Sequence, residues 1–161
     1  MCCIEIHVNS KFLHMEGFPL HPMLVHLPAG MAITAPVLTF VFYSIMKKHP
    51  DLKSFLWKIL IIWQLVFTLA IYASMVTGEM DEEKYSNTLI EEKVEAHESS
   101  ALILLILSII AVVISVVSFK SVHLARIFFV IIQIVILGFT IYTAHKGGEL
   151  VYSNRSALKQ K

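Results

Sequence analysis

Imidazole takes up and releases a proton near neutral pH, and it is the side chain that most often binds iron, copper, nickel or zinc. The chain carries eight of them. His7 and His14 lie in a polar N-terminal stretch, and His49 and His123 flank long apolar runs. The other four stand at one kind of place, where apolar sequence begins or ends. His21 and His26 bracket the string HPMLVHLP, His97 sits in EAHESSA, and His145 sits in AHKGGELVY. Ionisable side chains inside membrane segments are costly and mark function by default, whereas a histidine at a membrane end is often only interfacial. A haem b needs an apolar slot, one or two axial histidines and polar groups for its propionates. On this reading His26 and His97 are the expected axial pair, with His145 and His21 beside them. Gly138 leaves room for a flat ring, and Lys146, Tyr152 and Arg155 stand near the aqueous edge. A transition-metal ion held by His21, His26, His97 and His145 is the alternative cofactor. A titrating gate or a purely structural network are the readings without one.

The elements that must position these groups are apolar helices. Of 161 residues, 57% are hydrophobic and only 16% charged, with a mean hydropathy of +0.73. Soluble domains carry about 25% charged residues. The composition excludes a disordered chain, a disulfide scaffold and a typical soluble enzyme, and a net charge of +1 gives no nucleic-acid footprint. Cys2 and Cys3 are adjacent and form neither a clasp nor a CxxC pattern. Four stretches, residues 23–46, 55–77, 100–119 and 127–144, approach the roughly 20 apolar residues that a helix needs to cross the hydrocarbon core. In lipid the backbone must satisfy itself, so helices follow. The expected fold is all-α, an up-down four-helix membrane bundle spanning residues 21–152, with an irregular extension at 1–20 and a tail at 153–161. Met15 is an alternative natural start. No HExxH, GxSxG, P-loop or GxGxxG string occurs.

Alternating helix direction brings His21, His26, His97 and His145 to one side, face A. Face B holds two short turns with Lys47, Lys48, Lys53, Lys58, Lys120 and Arg126 against the single acid Asp51, which places it in the cytoplasm. Both termini are then expected outside, in the periplasm for a bacterial inner membrane. Residues 78–98 on face A hold eight acids and two lysines, a solvated face or a dock for a basic carrier such as a cytochrome c. Ile90, Val94, His97, Ala101 and Leu104 form one helical stripe, as do Ile127, Ile131, Ile134, Gly138, Ile141 and His145, and both are expected to face inward. Gly147 and Gly148 are expected to stop the fourth helix. Gln64 lies 13 residues before Thr77 and Gln133 lies 12 before His145, so both are about 18–20 Å below face A and expected to pair, directly or through water. Trp57 fits an interfacial belt.

The motifs carry a resemblance. His21, Pro22, Val25, His26 and Pro28 match the HPxxVHFP opening, with Leu27 for the usual Phe, of the bacterial membrane family called domain of unknown function 2231. His145, Gly147, Gly148, Leu150, Val151 and Tyr152 match its HxGGxLVY close. The resemblance covers about residues 20–152; it implies the four-helix fold and weight on these positions, and carries no activity. The expectation is a small b-type haem-binding electron-transfer subunit in the bilayer, an electron carrier more than a stand-alone enzyme. Quinone, a cytochrome c or other respiratory subunits would be its partners. The alternative is an accessory or scaffold subunit, or a small proton- or ion-handling protein with a histidine gate.

Overall fold

The computed structural model describes residues 20–82, 91–120 and 123–158, with side chains described over 21–80, 91–120 and 124–150. The extension at 1–19, with its two cysteines, His7, His14 and Met15, lies outside the described residues. All four expected spans are helical, and no strand occurs among the described residues. A short helix α1 (Leu20–Leu24) turns at Val25 into α2 (His26–Lys48). The backbone ladder runs through that turn, Val25 N–H donating to His21 C=O at 3.1 Å and Ala29 N–H to Val25 C=O at 3.3 Å, so the two make one span. A 3₁₀ turn at Pro50–Leu52 leads into α3 (Lys53–Glu82); α4 (Glu91–Phe119) and α5 (His123–Leu158) follow. Each of the four spans is long and apolar enough to cross a bilayer.

Neighbouring spans touch in a ring. The first packs on α3 and α5, and α4 packs on α3 and α5, so the first span and α4 stand diagonally, as do α3 and α5. This is the up-down bundle the sequence implies.

What faces inward is not what an apolar stripe predicts. In α5 the stripe Ile127, Ile131, Ile134, Gly138, Ile141 and His145 points outward, with Ile134 59% and Ile141 62% exposed to the surrounding lipid. The buried line is Phe129, Gln133, Ile136, Thr140 and Thr143, continuing to Gly147. In α4 it is Ser100, Leu104, Ser108, Ala111, Ser115 and Ser118. Eleven buried polar residues accompany thirteen buried apolar ones among the described residues. The cause is the solvent. Lipid tails are as apolar as isoleucine, so nothing drives isoleucine inward; small side chains that let helices approach, and polar ones that find partners, take the interior. Most of the hydroxyls bond within their own helix, as Ser108 does to Leu105 C=O at 2.7 Å and Thr140 to Ile136 C=O at 2.8 Å.

Two further expectations give way. Gly147 and Gly148 do not stop α5, which continues to Leu158. Trp57 stands at the face B end of α3 as expected, but its ring turns inward and not onto a lipid-facing belt: it is 2% exposed, packs on Leu60 and Phe129, and its indole N–H donates to Ser115 C=O at 2.8 Å.

Candidate functional site

At face A the first span and α4 meet across their diagonal. The rings of His21 and His97 lie 6.5 Å apart, centre to centre, edge to face at 79°. His21 is held firmly. Its Nδ1 lies 2.8 Å from the backbone oxygen of Ser74 on α3, and a carbonyl oxygen only accepts, so Nδ1 carries the proton. Thr77 Oγ1 stands 3.5 Å from the same nitrogen while donating to Ser74 C=O at 3.0 Å. The tautomer leaves the Nε2 lone pair of neutral His21 free of its own proton. A histidine that donates one nitrogen to a carbonyl and offers the other is arranged as a proton acceptor or a metal ligand.

His97 is held differently. Its Nδ1 is buried with no well-aligned hydrogen-bond partner, the backbone carbonyl of Thr143 on α5 being the polar group that faces the ring, and the Thr143 hydroxyl is also buried and unpaired. Leaving such a group unsatisfied costs about 1–3 kcal/mol, so it is a feature that needs a reason.

Two glycines make the pair possible. A Cβ on Gly78 would lie 3.1 Å from His21 Cε1, and one on Gly147 would lie 3.0 Å from His97 Cε1. Each imidazole occupies the space that a methyl group would otherwise fill. The GG pair in α5 is therefore a cradle within the helix, and not its end.

The other candidates are elsewhere. His26 is exposed on the first span. The side chain of His145 is 71% exposed and its Nε2 lies 3.5 Å from Glu149, one turn on. Gly138 is exposed with nothing near its missing Cβ, so it makes no room inside the bundle. Lys146 pairs with Glu149 at 3.8 Å and lies over the Tyr142 ring. Tyr152 and Arg155 belong to α5, but their side chains lie outside those described. Convergence of four imidazoles thus reduces to two, His21 with His97. No group of three or more His, Cys, Asp or Glu that could hold a metal ion occurs among the described residues. The residues missed by the motif reading are Gly78, Ser74, Thr77 and Thr143, and Gly147, present in the motif, was read as a helix stop. Their signal was the spacing of small and hydroxyl residues, 140-143-147 in α5 and 74-77-78 in α3.

Half a bundle deeper, the second diagonal closes as its depth arithmetic anticipates. Gln133 Nε2 donates to Gln64 Oε1 at 2.8 Å, and Gln64 Nε2 lies 3.4 Å from Ser108 C=O.

These features define an integral membrane four-helix bundle with a diagonal histidine pair at one rim. The chain belongs to the family described as predicted membrane protein (DUF2231), whose model matches residues 17–160. Comparison with curated proteins and with solved structures returned no match.

Proposed function

We infer that this multi-pass membrane protein is a proton-handling device whose working part is the His21–His97 pair, a histidine gate at the non-cytoplasmic rim. The observation that carries the reading is the contrast in hydrogen bonding: His21 has a fixed tautomer with Nε2 in reserve, and His97 keeps a buried nitrogen without a well-aligned partner. A proton on one ring repels a proton on its neighbour, so the two take up one proton before a second. The basic turns of face B support a cytoplasmic face B under the positive-inside rule, and on this reading both termini lie outside, as in a bacterial inner membrane.

A metal ion is less well served, since structural and catalytic zinc sites draw on three or four protein ligands and two imidazoles converge here. The b-type haem reading is favoured by one observation, a free Nε2 on a ring fixed by a carbonyl, which is how axial histidines are oriented. It is opposed by another: both Cε1 edges rest against helix backbone at Gly78 and Gly147, where a porphyrin would need open space. Electron exchange with quinone or a cytochrome c would depend on such a haem, and on the proton-handling reading the exposed acids Glu91, Glu92, Glu95 and Glu98 serve as a solvated face.

Reconstitution in liposomes tests the proposal. Proton flux is expected to rise as pH falls and the pair takes up protons, and to be lost in His97→Gln and in His21→Gln. Equal flux in wild type, both variants and protein-free vesicles sinks it. A Soret band in purified protein that disappears in His97→Ala would put the redox reading in its place.

A further inference from the structure

At face B the ends of three helices enclose a cleft of about 120 Å³ lined by Lys53, Ser54, Trp57, Phe119 and Arg126. With a water occupying about 30 Å³ of liquid, it holds roughly four waters: room for a phosphate group and little more. Arg126 is already aimed. Its Nε donates to Ser118 C=O at 3.4 Å, and its guanidinium carbon lies 5.6 Å from the centre of the Trp57 ring. Nothing among the described residues engages its two terminal amino groups, which are the edge that grips phosphate in a two-pronged way. Lys53 opens α3, and Arg126 stands in the first turn of α5, so the positive ends of two helix dipoles meet at the cleft.

We propose that this cleft binds the phosphodiester of an anionic phospholipid of the face B leaflet. The apolar surroundings choose a lipid over a free phosphate, and the basic ones an anionic lipid over a zwitterionic one. One wall, Phe119, is 39% exposed, and Leu124 and Phe128 next to Arg126 are 61% and 51% exposed, a surface for acyl chains. A phosphodiester carries one charge and two substituents to lay on that surface, whereas inorganic phosphate carries more charge against an apolar wall. The surrounding charge, Lys47, Lys48, Lys58 and Lys120 against Asp51, repels the cationic end of a zwitterionic headgroup and attracts an anionic one.

The test uses the full chain in detergent micelles with added phosphatidylglycerol, phosphatidylcholine or inorganic phosphate, read by thermal shift and by native mass spectrometry. Phosphatidylglycerol is expected to bind at least about tenfold more tightly than phosphatidylcholine, and Arg126→Gln to lose about tenfold, as for one charged hydrogen-bonded contact. Arg126→Lys should recover part of it. Lys53→Gln, at the rim of the cleft, should lose a few fold and serves if Arg126→Gln does not fold. Equal binding of the two lipids, or unchanged affinity in Lys53→Gln and in folded Arg126→Gln, overturns the site. An equal shift with inorganic phosphate alone overturns the lipid assignment.

Discussion

The two diagonals of the bundle carry the same kind of cargo in opposite states. In mid-membrane, Gln64 and Gln133 join α3 to α5 with a 2.8 Å bond, and Gln64 turns its amide toward Ser108 C=O. At the face A rim, His21 and His97 join the first span to α4 with no bond between them, only ring against ring at 6.5 Å. Gln133 Oε1 is also buried without a partner, but amides do not titrate, so this pair has no proton to pass. Imidazoles set side by side, one anchored and one with an idle nitrogen, have a proton to pass. The glutamine pair, fully buried, is therefore read as structure and the half-buried histidine pair as function, although both are polar groups set between helices.

The comparison can be broken most severely at Gly78. Gly78→Ala puts a methyl 3.1 Å from His21 Cε1, so the ring must give by a few tenths of an ångström against its Ser74 bond. Overpacking of this kind costs about 1–3 kcal/mol, partly offset by the roughly 0.5–1 kcal/mol alanine gains over glycine in a helix. Unfolding in mixed micelles should show the loss, and flux should fall with it. Next comes Gln133→Leu, which strands Gln64 in the bundle. We expect a loss of about 1–2 kcal/mol with the pH dependence of flux unchanged, and a Gln64→Leu/Gln133→Leu double variant less damaged than the two losses added. A shifted pH dependence would erase the distinction between the diagonals. Gly147→Ala should cost less than Gly78→Ala, even though its contact is tighter at 3.0 Å, because His97 has no well-aligned Nδ1 bond to surrender when it swings away. The smallest effect is expected from His26→Ala and His145→Ala, both exposed, each within about 0.5 kcal/mol and with flux intact. If His145→Ala abolished flux, the choice of His21 over the outer histidines would be wrong.

Much of the fold was legible because bilayer thickness dictates length. Four apolar runs, alternating direction and counted depth were enough to place His97 and His21 at one rim and to match Gln64 with Gln133. Rotation about each helix axis was not legible by the same logic. An apolar stripe marks the interior only where water is outside. In α5 that rule selects Ile134, Ile141 and His145, and the true seam runs through Gln133, Thr140, Thr143 and Gly147. Positions 145 and 147 differ by about 200° around a helix of 3.6 residues per turn, which moved His145 to the lipid flank and brought a glycine to face His97. Serine spacing in α4, at 100, 108, 115 and 118, held the correct phase in plain view.

The crossing of the diagonals has a mechanical consequence. A single cross-brace between two helices of a square would leave the other two free to twist and to slide. Here the braces run corner to corner in both directions and at different heights, so turning or lifting any one helix must strain one of them. Loosening the upper brace by charge, while the lower stays locked, would let the rim splay about a fixed waist.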